Sequence, residues 1–427
     1  MFNISILKER LKYNPLSFKL KSRRNGVALL LAVTSLLLMV FVASEVATDS
    51  SIEYAVNFQE INRIKAYYSA RSSLEIALLR VKVYQQASKM NLPPGFAQQL
   101  NQIWSFPFAW PLPISNDMLS NAKDDIEGLT KESLFDGNYT HTIMDEGSKI
   151  DINDLGSPSK TLRDVTQKQI LNIFENKINS DEKFRNKYQN YNFTELINRI
   201  ADWMSDKNTS FNGGDKRTPF RELGDQFPPN RGFRTLDEIR LVPGMTEEFF
   251  SLIYPSITIY GSKAINPNTA SSLVLKSLDT GLTEESITEA VDRRDNPDKG
   301  GPFQGSTSEE CRNSFKTFVE SRGARLSSEF EKIPFICDKV SNFKIESIGR
   351  SGSGKGAIQK KITAYVVDIQ KAGNTIKGIL DKEKQNEQNQ STNPPSSPPA
   401  NPGPKPPTQN QEALPKGRPR IVYWSEQ

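Results

Sequence analysis

The chain has 427 residues, 36% of them hydrophobic, with 55 basic and 50 acidic side chains that leave a formal charge of +5. That is enough chain for two or three domains, and the charge balance is too even to argue for a nucleic-acid binder. A single histidine, His141, and two cysteines, Cys311 and Cys337, exclude a zinc site of the usual Cys/His kind and leave His-dependent catalysis one candidate residue.

Residues 1–26 form a basic leader, with Lys8, Arg10, Lys12, Lys19, Lys21, Arg23 and Arg24 against Glu9 alone. The run VALLLAVTSLLLMVFVAS at 27–44 is free of charge, which is about the minimum length for crossing a bilayer core as a helix. The positive flank belongs on the cytoplasmic side, so the rest of the chain lies outside. A secretory signal begins in the same way. This run is long for one, however, and no small-x-small cleavage site with a polar coil follows it. The helical pattern instead continues. Ile61, Ile64, Tyr68, Leu74, Ala77, Leu78 and Val81 fall mostly at helical spacings, and no proline interrupts 27–92. One helix is predicted to about residue 90, spanning a membrane over 27–47 and amphipathic beyond.

Trp104, Phe106, Phe108 and Trp110, interleaved with prolines, read as a corner of the core. A strand pair is expected at 139–143 and 149–152. His141 falls on the same side as Tyr139 and Ile143, which predicts a partly exposed strand residue and no catalytic role. From 161 to 324 the apolar spacing is helical, as in Ile170, Ile173 and Phe174, then Leu196, Ile197 and Ile200. Residues 235–253 read as helix, Pro-Gly turn and helix, with Thr235 as N-cap and Glu238 completing a capping box. A second pair at 268–290 has Thr269 as cap and Gly281 as breaker. Such pairs resemble helix-hairpin-helix modules, whose turn amides hold a DNA phosphate. Here Pro243 donates no amide, and Glu247, Glu248, Glu284, Glu285 and Glu289 oppose phosphate, although Arg293 and Arg294 follow. The pairs therefore read as core scaffolding or protein–protein surfaces. Strands return at 335–337, 342–348 and 361–368, with a Gly/Ser-rich hairpin turn at 349–356. The Pro-, Asn- and Gln-rich stretch 382–420 has too little apolar surface to offset its ordering entropy and reads as disordered. Residues 421–424 read as a frayed end, with a docking peptide as the alternative.

The junction Asn25-Gly26-Val27-Ala28-Leu29-Leu30-Leu31 is similar to the prepilin-peptidase junction of type IV pilins and pseudopilins. The resemblance implies cleavage after Gly26 and N-methylation of Val27. Most such subunits carry Glu at the fifth mature position. Here that position is Leu31, as is typical of protein K of the type II (general) secretion pathway. A carboxylate in a bilayer is unfavourable unless paired, and a subunit at a filament tip has no neighbour ahead whose amine needs neutralising. Further segments resemble the same family in the same order: AYYSARSSLE at 66–75 (Ser73 replacing a usual glycine), DEGSKIDIN at 145–153, Asp202-Trp203, FRTLDEI and VPGM at 233–245, and INPNTA at 265–270. Together they run from residue 26 to about 370.

The resemblance implies an α+β fold: a long transmembrane pseudopilin helix, a small antiparallel β-sheet head, a large inserted all-helical domain and a disordered C-terminal tail. The expected zones are the leader 1–26, the span 27–47, the helix and first strands 48–160, the insert 161–325, the closing strands 326–375 and the tail 376–427. The family holds calcium near the Asp-Trp segment, which points to Asp202, Asp206 and Asp215. Ser205 and Lys216-Arg217 depart from that pattern and favour a solvated loop. An extracytoplasmic head would let Cys311 and Cys337 pair as a disulfide; two separate buried thiols are the alternative. The function expected is a minor pseudopilin, without enzyme activity, that initiates or caps the pseudopilus tip. Its expected site is the inner membrane, with the N-terminus cytoplasmic and the head periplasmic. The partners implied are other minor pseudopilins, the prepilin peptidase, the inner-membrane secretion platform and secreted substrate. The alternatives are a minor subunit of another type IV filament and a membrane-tethered DNA-uptake protein.

Overall fold

A computed structural model describes residues 25–88, 100, 103–114, 118, 120–133, 137–337, 339–352, 357–391 and 419–427. The leader before Asn25, residues 353–356 of the segment 349–356 expected as a turn, and most of the Pro-rich stretch (392–418) lie outside the described residues. The chain divides into two units, Met1–Asn62 and Arg63–Gln427.

The described part of the first unit belongs to helix α1 (Asn25–Ala87). Its side chains Leu30, Leu36, Met39 and Phe41 are all mostly exposed. Among the described residues this is the one helix long and apolar enough to cross a membrane. Its few hydroxyls are satisfied within the helix: Thr34 Oγ1 donates to the Leu31 carbonyl at 3.0 Å and Thr48 Oγ1 to Ser44 at 2.8 Å. A helix surrounded by hydrocarbon needs this, since no water is there to pair them.

In the second unit the remainder of α1 lies on a sheet of strands β1 (Phe108–Trp110), β2 (Asn138–Asp145), β5 (Phe343–Ser351), β6 (Ile358–Val366) and β7 (Ile421–Glu426). Their order is β1-β2-β5-β6-β7, and all pairs are antiparallel. The helix face turned to the sheet is lined by small residues, Ala66, Ala70, Ser73 and Ala77, with Leu74, Leu78, Val81 and Tyr84 among them, all buried. Small side chains let the two backbones approach, and Ser347 Oγ on β5 donates to the Ala70 carbonyl at 2.6 Å. Alternate residues of β5, including Phe343 and Ile345, fill the space under the helix. The rings of Tyr84, Trp104 and Phe343 meet edge-on with centroids 5.4–6.2 Å apart.

Between β2 and β5 the chain builds a helical body. It comprises α3 (Lys160–Ser180), α4 (Glu182–Tyr188), α5 (Phe193–Met204), α6 (Glu247–Ile253), α7 (Ser272–Ser277), α8 (Glu284–Asp295) and α9 (Ser308–Ser321). Its start is pinned by the short parallel pair β3 (Ile150–Asp151) and β4 (Ile257–Thr258). Capping side chains set the helix starts: Ser159, Asp181, Asn192, Thr246, Ser271, Thr283 and Thr307 each accept from a backbone amide of the first turn. Phe174, Phe184, Phe193 and Phe249 stack as one aromatic centre. Helices are also described outside this body, among them α2 (Ser120–Glu132) before β2, which the sequence pattern does not anticipate, and α10 (Ile369–Ser391) after β6.

Several expectations are corrected. Strand 149–152 does not pair with 139–143: β3 pairs with β4, and β2 lies between β1 and β5. Residues 335–337 form no strand. Phe335 makes an isolated bridge to Ile265, and Phe330, Ile333 and Phe335 pack in the helical core, so a boundary at 326 cuts through one cluster. Residues 236–241 are a 3-10 turn: Thr235 makes no side-chain cap, and the Glu238 carboxylate accepts from Arg231 and the Arg234 amide instead of closing a capping box. Thr269 caps nothing: its hydroxyl donates to Asp145, and Ser271 caps α7. The disordered tail over 376–427 holds for neither end, since residues up to Ser391 are helical and 421–426 are a sheet strand. Phe106 is 68% exposed, although Trp104 of the same aromatic run is buried.

Candidate functional site

The anchor is built from the first turns of α1. Gly26 and Val27 lie just inside the helix start at Asn25, and Leu31 follows one turn later. Val27 and Leu31 are 67% and 62% exposed, so this end presents apolar side chains and no carboxylate to its surroundings.

The Asp202 loop is held from within. Asp202 is fully buried at the end of α5, where it accepts from Ser210 Oγ at 2.5 Å and the Phe211 amide at 3.0 Å. Asp215 Oδ1 accepts from the Arg217 amide at 3.0 Å, and Asp206 is exposed. Among the described residues no group of three His, Cys, Asp or Glu side chains is placed to hold a metal ion. Lys216 is the cation here. It is 2% exposed, and its Nζ donates to the Ser205 carbonyl at 2.6 Å and to Asn230 Oδ1 at 2.7 Å. Burial pulls its pKa below the ordinary lysine value, while Asp202 and Asp206 oppose that. The lysine that reads in sequence as repelling an ion turns its own ammonium inward, and the calcium donors do not fit that ion.

His141, expected to be partly exposed, is 1% exposed and bonded at both ring nitrogens. Arg80 Nη1 lies 2.9 Å from Nε2, and Ser73 Oγ lies 3.0 Å from Nδ1. A guanidinium only donates, so Nε2 accepts and Nδ1 carries the proton toward Ser73. Arg80 also donates through Nε to the Ile103 carbonyl at 2.8 Å and through Nη2 to Phe106. The Phe108 ring stacks on His141 at 5.3 Å. Burial, with Arg80 beside it, lowers the histidine pKa to about 4. This neutral imidazole joins α1, β2 and the 103–106 segment, and the hydroxyl bonded to it, Ser73, is itself buried.

Two other polar knots tie separate segments together: the first joins β2 to the helical body, and the second lies within that body. Asp145 accepts from Thr269 Oγ1 and from the Gly147 amide at 2.8 Å, and burial raises its pKa to about 6 against those bonds. Lys263, at φ 64°, bridges Asp151 and Asp154. Burial and the neighbouring Asp151 raise the Asp154 pKa to about 7. The cysteines, left open by sequence, are joined: Cys311 of α9 and Cys337 form a disulfide with Cα atoms 5.6 Å apart. The glycine turns are occupied. The Gly281 amide donates to Asp279 at 2.8 Å and its carbonyl accepts from the Arg325 amide, while Arg199 and Tyr191 cover Gly244.

Arg80 and Ser73 escape a reading by residue type, yet a signal exists. Ser73, Ala77, Arg80 and Tyr84 recur at the helical spacing of the buried stripe, so polar members of it must meet a buried partner. Lys263 and Lys216 sit in loops without a period, and no pattern marks them.

No protein-family model matches this chain, and no curated protein matches it. Solved structures do. One is a chain of the GspK-GspI-GspJ complex from the enterotoxigenic Escherichia coli Type 2 Secretion System, at 15% sequence identity and a TM-score of 0.46, covering 74% of this chain and 95% of that one.

Proposed function

We propose that this chain is a minor pseudopilin of a type II protein secretion system, placed at the tip of the periplasmic pseudopilus. The observation that carries the reading is the helix Asn25–Ala87. Its first part is bare, uncharged and apolar, its later part is buried under an antiparallel sheet, and a helical body is inserted between two strands of that sheet. An enzyme's anchor does not require such a helix, whereas a filament subunit does, since one end packs among neighbours and the other carries the head. Leu31 supports a tip position, because a subunit with no neighbour ahead has no amine to neutralise. The bulk of the insert supports it too, because a body of that size repeated along a tight helical shaft has nowhere to go. The disulfide suits an oxidising compartment.

In this reading the prepilin peptidase cleaves after Gly26 and methylates Val27, and the apolar helix anchors in the inner membrane with the head periplasmic. The partners are the other minor pseudopilins, the inner-membrane platform and the secreted protein. The glycine-turn helices serve the fold: the Gly281 amide donates to Asp279 and the Met245 amide to the Val242 carbonyl. Mass spectrometry of the mature N-terminus, with and without prepilin peptidase, tests the reading. A start at methylated Val27 supports it, and a cut beyond the apolar run overturns it.

A further inference from the structure

Strand β7 (Ile421–Glu426) joins the sheet through β6 alone among the described residues. Thr363 stands opposite Ser425, Ala364 opposite Trp424 and Tyr365 opposite Tyr423, and a bulge brings Val366 opposite Ile421. Lys361 and Gln427 exchange two backbone hydrogen bonds of 2.9 Å each. A ladder of this kind holds an extended chain of almost any sequence; side-chain anchors make it selective.

The anchors are two. Ile421 and Trp424 pack against the core between α1 and the sheet, each only partly buried. Glu426 accepts from the Trp424 indole at 2.7 Å and from the Tyr67 hydroxyl at 3.2 Å. On the opposite face Tyr423 meets the Tyr365 ring edge-on at 5.8 Å. No side chain of β7 is fully buried, whereas every second residue of β5 is. The nearest described element before this segment is α10, ending at Ser391, so β7 is held to β6 by its ladder and anchors and by no short hairpin.

We infer that the outer edge of β6 is a peptide-addition site, selective for an extended segment with an aliphatic residue followed three positions later by a tryptophan, and that residues 421–427 are its resident ligand. The segment is held as a docked peptide is held: main-chain pairing along one edge, one aliphatic and one aromatic anchor, and a carboxylate that fixes the indole. It shields Ile362, Ala364 and Val366, whose uncovered backbone edge is a template for unwanted pairing. The site is therefore separable from its occupant, and a free copy of the segment exchanges with the bound one.

The full chain in detergent micelles, with a protease site introduced within 392–418, tests this. After cleavage, a fluorescent peptide of residues 419–427 is added. Saturable binding of one peptide per chain is expected, with release of the resident segment. The Trp424→Ala peptide should bind roughly tenfold or more weakly, as loss of a central aromatic anchor does. Uncleaved chain should take up the peptide far less, because its tethered segment competes at high effective concentration. Two results overturn the inference. One is a cleaved segment that neither leaves nor exchanges until denaturant unfolds the whole sheet, which makes β7 an integral strand. The other is equal binding of the Trp424→Ala peptide, which makes the uptake unselective.

Discussion

Gly349 lies so close to Ala66 that a Cβ built on the glycine would come within 2.1 Å of the Ala66 carbonyl oxygen and 2.3 Å of the Ala70 amide nitrogen. Helix and strand β5 touch there backbone to backbone, and the Ser347–Ala70 hydrogen bond one pleat away depends on that contact. Neither obstacle is a flexible side-chain end. Gly349→Ala must push the helix off the sheet, at a cost of about 1–3 kcal/mol or more from overpacking. Gly373 and Gly378 of α10 meet nothing within 4 Å. Their alanine variants should be neutral or stabilise the helix by up to about 1 kcal/mol. Thermal melts of the three variants check both directions, and a melt of Gly349→Ala equal to wild type would refute the contact.

The neutral state of His141 predicts a pH dependence. Its folded pKa, about 4, lies below the ordinary 6.5. The unfolded chain therefore binds the extra proton first, and the stabilisation present above 6.5 is lost as pH falls toward 4. Asp145 acts in the opposite sense. Its folded pKa is raised from 3.8 to about 6, so its share is present at low pH and lost as pH rises through that range. The two partly cancel in the whole protein. The difference between wild type and His141→Phe isolates the histidine, and that difference should shrink between pH 6.5 and 4. Because the chain has one histidine, its imidazole nitrogen shifts in NMR read the tautomer directly, with the proton expected on Nδ1.

Lys216→Met removes the ammonium between the Ser205 carbonyl and Asn230; Ser205 is half-buried, whereas Asn230 is exposed and can turn to water. A loss of about 1–3 kcal/mol is expected, chiefly from the one partly buried carbonyl left without its donor. Millimolar calcium or a chelator should leave the melting temperature of the wild-type protein unchanged. A clear rise with calcium would mean that the loop carries a metal after all.

Reduction of Cys311–Cys337 opens a loop of sequence separation 26. Chain-entropy arguments put the stabilisation at about 3–4 kcal/mol. Denaturant titration with and without reductant, compared with a Cys311→Ala/Cys337→Ala double variant, measures it. The reduced protein and the double variant should agree.

The elements with strong periods were the legible ones. The apolar run after Gly26, the stripe through Leu74, Leu78 and Val81, and the alternation along 342–348 and 361–368 each announce one buried face, and a helix and two strands lie there, although β5 runs on to Ser351 and β6 starts at Ile358, both inside the turn or connection expected between them. The short elements misled. Residues 149–152 have strand character but no feature naming their partner, and that partner, Ile257, is far away in sequence. Thr235 and Thr269 carry capping chemistry that goes unused: Glu238 of the expected box pairs with Arg231, seven residues before it, and Thr269 donates to Asp145, far away in the chain.

Solvation and period, both local properties of the sequence, determined an uncharged anchor behind a basic leader, a helix that continues beyond it, a sheet flanking a helical body, and a Pro-rich stretch with little to bury. Tertiary structure decided which polar groups are paired. His141 lost its charge because Arg80 and Ser73 close on it, Lys216 became an internal tie because Ser205 and Asn230 face it, and residues 421–426 became a strand because β6 offered an open edge. Each of those fates depends on partners distant in the chain, which local periodicity does not encode.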